Sequence, residues 1–201
     1  MNFLAHCHLS GKNEELLVGN FMADFLKGKP SYNLPTEVLR GIELHHAIDQ
    51  FTDKHPLVKQ GYQRLRPQYG RYAAVIMDVF YDHLLAVNWE LFHEQHLSDF
   101  AQWVYAVFQA HQDLFPPRAQ RILPSMIKYD WLSNYTGTYG IERALEGLSR
   151  RASFENRMDE ALEALLRDFN IFNEEFLIFF PEILTHVQPF WTSSPNPNDA
   201  V

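Results

Sequence analysis

The chain has 201 residues, 46% of them apolar, enough for one domain with a sizeable core. Its formal net charge of −8 argues against nucleic acid as a partner, because a phosphate backbone calls for a basic footprint. A lone cysteine, Cys7, excludes a disulfide framework and a cysteine zinc site, and fits a reducing, cytoplasmic setting.

In chain order, the N-terminal stretch carries His6 and His8 and lacks the basic n-region and long apolar run of a secretory signal. A short helix is expected over residues 16–27, stopped by Lys27 and Gly28. After a loop at 29–34, Pro35 starts a helix that runs to about Thr52. Pro56 opens another to about Arg66, and residues 73–89 repeat apolar positions with a period near 3.6. Ser98 can cap a helix to Gln112, and Pro116-Pro117 starts one that Pro124 should kink. Residues 129–140 read as a polar–aromatic loop. Helices over 140–151 and 155–187 follow, the last broken near Pro181. Hairpin turns and sustained alternation are missing, so the fold class is all-α. One helical bundle is expected over residues 1–191, with a frayed Pro/Ser/Asn-rich tail at 192–201. No apolar run approaches the roughly 20 residues that span a bilayer, so membrane insertion is not expected.

The acids and histidines are clustered. His45, Asp49 and Asp53 recur every four residues, which stacks them on one helix face. Asp78 and Asp82 repeat that spacing on an otherwise apolar helix, with His83 adjacent, and Asp24 sits among Phe21, Met22, Ala23 and Phe25. Carboxylates placed so must be offset by a cation, an arginine or a histidine. Helical bundles build metal sites from such inward carboxylates and imidazoles, and mixed His/Asp donors suit Mn²⁺, Fe²⁺, Zn²⁺ or Mg²⁺. A cation of this kind activates water and polarises a phosphoryl oxygen, so phosphodiester hydrolysis is the natural reaction class. The competing readings are structural. Lone histidines such as His83, His93, His96, His111 and His186 serve more often in the core. Asp53 precedes a Lys54-His55-Pro56 break and fits a turn, and Asp78 and Asp82 can pair with arginines. Two segments are basic without an acid, one carrying Lys54, Lys59, Arg64, Arg66 and Arg71, the other Arg118, Arg121 and Lys128. They suit an acidic partner if they meet in space, or are solvated helix faces.

The same residues carry a family resemblance. Asn2-Phe3-Leu4-Ala5-His6 with His8-Leu9, Gly19-Asn20 with Ala23-Asp24-Phe25, and Gly41-Ile42-Glu43-Leu44-His45 with Ile48-Asp49 and Thr52-Asp53 are three ordered blocks. Asp78, Asp82-His83 and Trp89 make a fourth, and Ser149-Arg150-Arg151 a late basic element. In this order the chain resembles the acyl carrier protein phosphodiesterases, divergent relatives of the HD-type metal phosphohydrolases. The resemblance implies an HD-like helical domain and hydrolysis of the phosphodiester between 4′-phosphopantetheine and the serine of holo acyl carrier protein. It implies a divalent metal, Mn²⁺ first, held by Asp24, His45, Asp49 and Asp82, with His6, His8 and Asp53 as additional candidates. Asp24, Asp78 and His83 are the implied catalytic groups. His6 and His8 share a side only if their segment is extended. Lys54, Lys59, Arg64, Arg66, Arg150 and Arg151 are the expected rim for the acidic carrier. At His46-Ala47 the chain departs from the basic pair expected there, which admits a nucleotide or other small phosphodiester as substrate. A helical interaction module without catalysis is the third reading.

Overall fold

A computed structural model describes residues 2–28 and 33–192. Among them eleven α-helices follow one another and no strand occurs: α1 (Phe3–Leu9), α2 (Glu14–Ala23), α3 (Thr36–Lys54), α4 (Pro56–Tyr69), α5 (Ala73–Val87), α6 (Leu97–Ala110), α7 (Pro117–Lys128), α8 (Trp131–Asn134), α9 (Thr138–Arg151), α10 (Ala161–Arg167) and α11 (Phe169–Thr192). The all-α expectation holds. None of these helices is long and apolar enough to cross a membrane. Of the expected tail, residues 193–201 lie outside the described residues, as do 29–32 of the first loop.

Helix α5 is the axis of the core, with eleven of its fifteen residues buried, Asp82 and His83 included. Phe80 packs edge-on against Phe172 at 5.4 Å, and Tyr81 stacks on Phe179 at 5.1 Å. These contacts hold α11 along α5. They also explain why α11 continues through Pro181, where a break was expected. An interior proline costs about 3 kcal/mol. Phe176, Phe179, Phe180 and Ile183 are fully buried around it, each stabilising by roughly 2 kcal/mol, so packing outweighs the lost hydrogen bond.

Two elements differ from expectation nearer the site. Helix α2 begins at Glu14, where Asn13 accepts the Leu16 N–H at 3.0 Å, and ends at Ala23. Asp24 is therefore a helix-terminal residue, half-exposed, rather than an interior one. The loop at 129–140 contains the single turn α8, started by Asp130 in the left-handed region (φ 41°) with its carboxylate accepting from the Tyr105 hydroxyl at 2.9 Å. Tyr105 accepts in turn from the Leu132 N–H. A four-residue turn held by a distant tyrosine leaves no local periodicity to read.

Helices α2 and α3 touch backbone to backbone. A Cβ on Gly19 would stand 2.0 Å from the Val38 carbonyl oxygen, and one on Gly41 2.3 Å from that of Leu16. Only glycine fits at either position. The contact sets Asn20 and Asp24, on one strut, against His45 and Asp49 on the other.

Candidate metal centre

Seven residues are too few to hold a helix unaided, and α1 is anchored from outside. The Asp82 carboxylate, buried on α5, accepts the Leu4 N–H at 2.8 Å and the Ala5 N–H at 3.0 Å. Those are orphan donors of the first turn of α1, whose own cap residue, Asn2, makes no side-chain capping bond. Burial pushes the Asp82 carboxyl up to about 7, although the two N–H bonds favour its ionised form. The anchor fixes His6, one residue further along, in the interior.

There His6 meets His45. The rings stack with centroids 4.3 Å apart, and Asn20 holds both. Its amide nitrogen donates to the His6 carbonyl and to Ser10 Oγ, each at 3.0 Å, which turns its oxygen toward the imidazoles. Asn20 Oδ1 then accepts from His6 Nδ1 at 2.8 Å and His45 Nδ1 at 3.1 Å. With both protons on Nδ1, both Nε2 lone pairs face outward to Asp49, 3.3 Å away for His6 and 3.2 Å for His45.

Ligand atoms of His6, His45 and Asp49 all lie within 4.8 Å of one another. The donors match a divalent cation: two neutral imidazoles and a carboxylate, oriented by hydrogen bonds behind them. A specific atom asks for one. Buried His6 Nε2 makes no hydrogen bond beyond its 3.3 Å approach to Asp49. Burial lowers the His6 pKa, keeping the ring neutral and its lone pair free. Burial would raise Asp49; only where the imidazole nitrogens beside it carry a proton do their hydrogen bonds hold it well below the usual carboxylate range. A charged carboxylate facing two lone pairs is repulsive unless a proton or cation stands between them.

Comparison with known proteins decides the kinship. Residues 1–183 match the family model described as acyl carrier protein phosphodiesterase. The acyl carrier protein phosphodiesterase of Enterobacter sp. (strain 638) is 31% identical over 94% of this chain and 98% of its own. That of Yersinia pestis is also 31% identical over the same shares, and that of Photorhabdus laumondii 30% identical over 92% and 93%. This chain belongs to the acyl carrier protein phosphodiesterase family. No solved structure gives a significant match.

Membership in the acyl carrier protein phosphodiesterase family makes the chain a phosphoric diester hydrolase. The other anticipated residues are distributed around the triad. Asp24 Oδ1 lies 3.7 Å from His45 Nε2 and is the exposed carboxylate at its edge. Asp78 is close enough to feel Asp49 and His6, and burial raises its pKa. Asp53 accepts from the Tyr62 hydroxyl at 3.4 Å on the exposed side of α3. His8, in a helix and not an extended segment, turns away from His6; its Nε2 approaches the Phe92 carbonyl at 3.1 Å. His83 Nδ1 donates to the Tyr135 carbonyl at 2.7 Å. Asp82 is occupied with the backbone of α1.

Among the basic residues, Arg64 is committed elsewhere, bidentate to Glu175 at 2.7 and 2.9 Å and stacked over Phe172. Lys54, Lys59 and Arg66 are exposed, Lys54 lining a shallow groove between α3 and α11 with His55, Glu182 and His186. Arg150 and Arg151 end α9 on the surface. Asn20 is the site residue that the sequence reading quoted without a role. Its signal was a lone amide inside the apolar run from Leu16 to Met22.

Proposed function

We propose that this chain hydrolyses the phosphodiester joining 4′-phosphopantetheine to the serine of holo acyl carrier protein, releasing the apo carrier, with a divalent cation at His6, His45 and Asp49. The observation that carries the reading is the triad: two buried imidazoles locked by one amide, their free nitrogens turned on a shared carboxylate. The relatives' name supplies the substrate. A cation bound there supplies Lewis acidity toward a phosphoryl oxygen and lowers the pKa of water. Mn²⁺ is the ion the family resemblance implies; two imidazoles and carboxylates without a thiolate also admit Fe²⁺, Zn²⁺ and Mg²⁺ as competitors.

The chain's own groups do the rest. Asn20 keeps both imidazoles in one tautomer and orientation. Asp24 at the edge is positioned to join the ligand set from the open side, where substrate enters. Hydrolysis breaks the bond from phosphorus to the serine oxygen, and that oxygen must collect a proton. Asp78 is assigned this role, because burial favours its protonated form and it lies near the triad. Asp82 and His83 are assigned to support, the first through α1 and the second through the Tyr135 carbonyl. The partner is a soluble acidic protein, so the enzyme works in the cytoplasm, without membrane or nucleic acid. Kinship with the HD-type hydrolases is proposed on the resemblance of its blocks.

The test is intact-mass analysis of holo carrier protein after incubation with the purified enzyme and Mn²⁺. Loss of the prosthetic arm, abolished by Asp49→Ala, is the expected result. Turnover of small phosphodiesters alone would move the substrate to the nucleotide class. Absence of any turnover, with no effect of Mn²⁺ on melting, would leave an interaction module.

A further inference from the structure

Two arginines from distant parts of the sequence stand together beside the open edge of the centre. Arg118 lies in the first turn of α7 with its guanidinium 6.0 Å from the centre of the Phe25 ring. Phe25 follows Asp24, the carboxylate that faces His45, and stacks at 6.3 Å on Phe3 from the first turn of α1. Arg151 ends α9 near Tyr135, whose hydroxyl accepts from Asn2 at 2.6 Å. Arg118 thus lies over the ring that stacks on α1, and Arg151 near the tyrosine bonded to the residue that precedes α1, the helix that carries His6.

Neither guanidinium has an ion-pair partner among the described residues, and both are exposed. By contrast, Arg40, Arg64, Arg143, Arg150, Arg157 and Arg167 each hold a carboxylate. What burial Arg151 has, with Arg118 and Arg150 close by, pushes its guanidinium down, and of the three only Arg150 holds a carboxylate, that of Glu146. An arrangement of this kind is relieved when an anion arrives.

We infer that Arg118 and Arg151, with Arg150 at their margin, receive the acidic surface of the carrier protein and bring its phosphodiester to the triad. The inference rests on the carrier reading above and moves the docking rim away from Lys54, Lys59, Arg64 and Arg66. The spread of the two guanidiniums over separate helices suits several carboxylates on a protein face, rather than one phosphate.

The test compares full-length enzyme with the Arg118→Glu/Arg151→Glu double variant on two substrates, holo carrier protein and bis(4-nitrophenyl) phosphate, with Mn²⁺. At low ionic strength the KM for the carrier should rise roughly ten-fold or more, and the gap should narrow as salt is added. Turnover of the small ester should be unchanged, and Lys59→Glu/Arg66→Glu should move the carrier KM by less than about two-fold. An unchanged carrier KM in the double variant, or equal losses on both substrates, overturns the inference. If wild-type enzyme fails to release the arm, it is the phosphodiesterase reading that falls. Fluorescence anisotropy of labelled carrier then decides the surface: binding lost in the double variant upholds it, and equal binding overturns it.

Discussion

Asn20 uses both ends of its amide on the site. The nitrogen is tied to His6 O and Ser10, and the oxygen serves two imidazoles that come from helices on either side. A ligand histidine with its far nitrogen unheld can rotate or switch tautomer, and loss of such an outer partner typically costs 10- to 100-fold in metal affinity, as an order of magnitude. We therefore expect Asn20→Ala to weaken Mn²⁺ binding by about that factor, measured calorimetrically. Ser10→Ala, which removes one acceptor of the amide and the hydroxyl's own bond to the His6 carbonyl, should cost less. Wild-type affinity in Asn20→Ala would show that the imidazoles orient themselves. At this scale His45 and Asp49 were legible in the sequence, because both lie on one helix at a spacing of four. His6 was only an additional candidate and Asn20 had no role, since each gains its place from a neighbour in another helix.

At the scale of elements, the two-glycine contact between α2 and α3 decides whether these side chains meet. A methyl at Gly41 would collide with the Leu16 carbonyl, which is backbone and cannot step aside. Gly41→Ala should separate the helices, lowering stability by about 1–3 kcal/mol or more in urea titrations. The same variant should lose most of the rise in melting temperature that Mn²⁺ gives wild type, because Asn20 and His45 would part. A stable variant with an intact Mn²⁺ response would mean the contact is incidental. Helix α11 makes the complementary point. A proline was read as a break, and the sequence alone could not weigh it against the aromatic residues buried on both sides.

Across the molecule, the buried ionisable groups give stability a pH dependence with two opposing parts. Burial depresses His8 from 6.5 to about 4, with the Phe92 carbonyl only partly restoring it. Its contribution is present above the unfolded value and is lost as pH falls toward 4, because the unfolded chain binds the proton first. Asp82 has the opposite sign: raised to about 7, it favours the native state at low pH and withdraws that support as pH climbs toward 7. Comparing wild type with His8→Leu cancels the Asp82 part. Between about pH 7 and about pH 4.5, wild type should lose on the order of 2 kcal/mol more than the variant in denaturant titrations. Equal losses would show that His8 is protonated without strain.

Composition and periodicity by themselves determined that this chain folds as helices, that it carries no cysteine metal site, and that one face of α3 bears His45 and Asp49. These follow from the chain's local chemistry and its 3.6-residue repeat. Only the tertiary structure decided which carboxylates face the imidazoles. Asp78 and Asp82 share a helix and a spacing, yet Asp82 turns to the N–H groups of α1 while Asp78 lies near the triad. The difference is where α1 docks, a matter of packing between segments some 78 residues apart, and no local pattern encodes it.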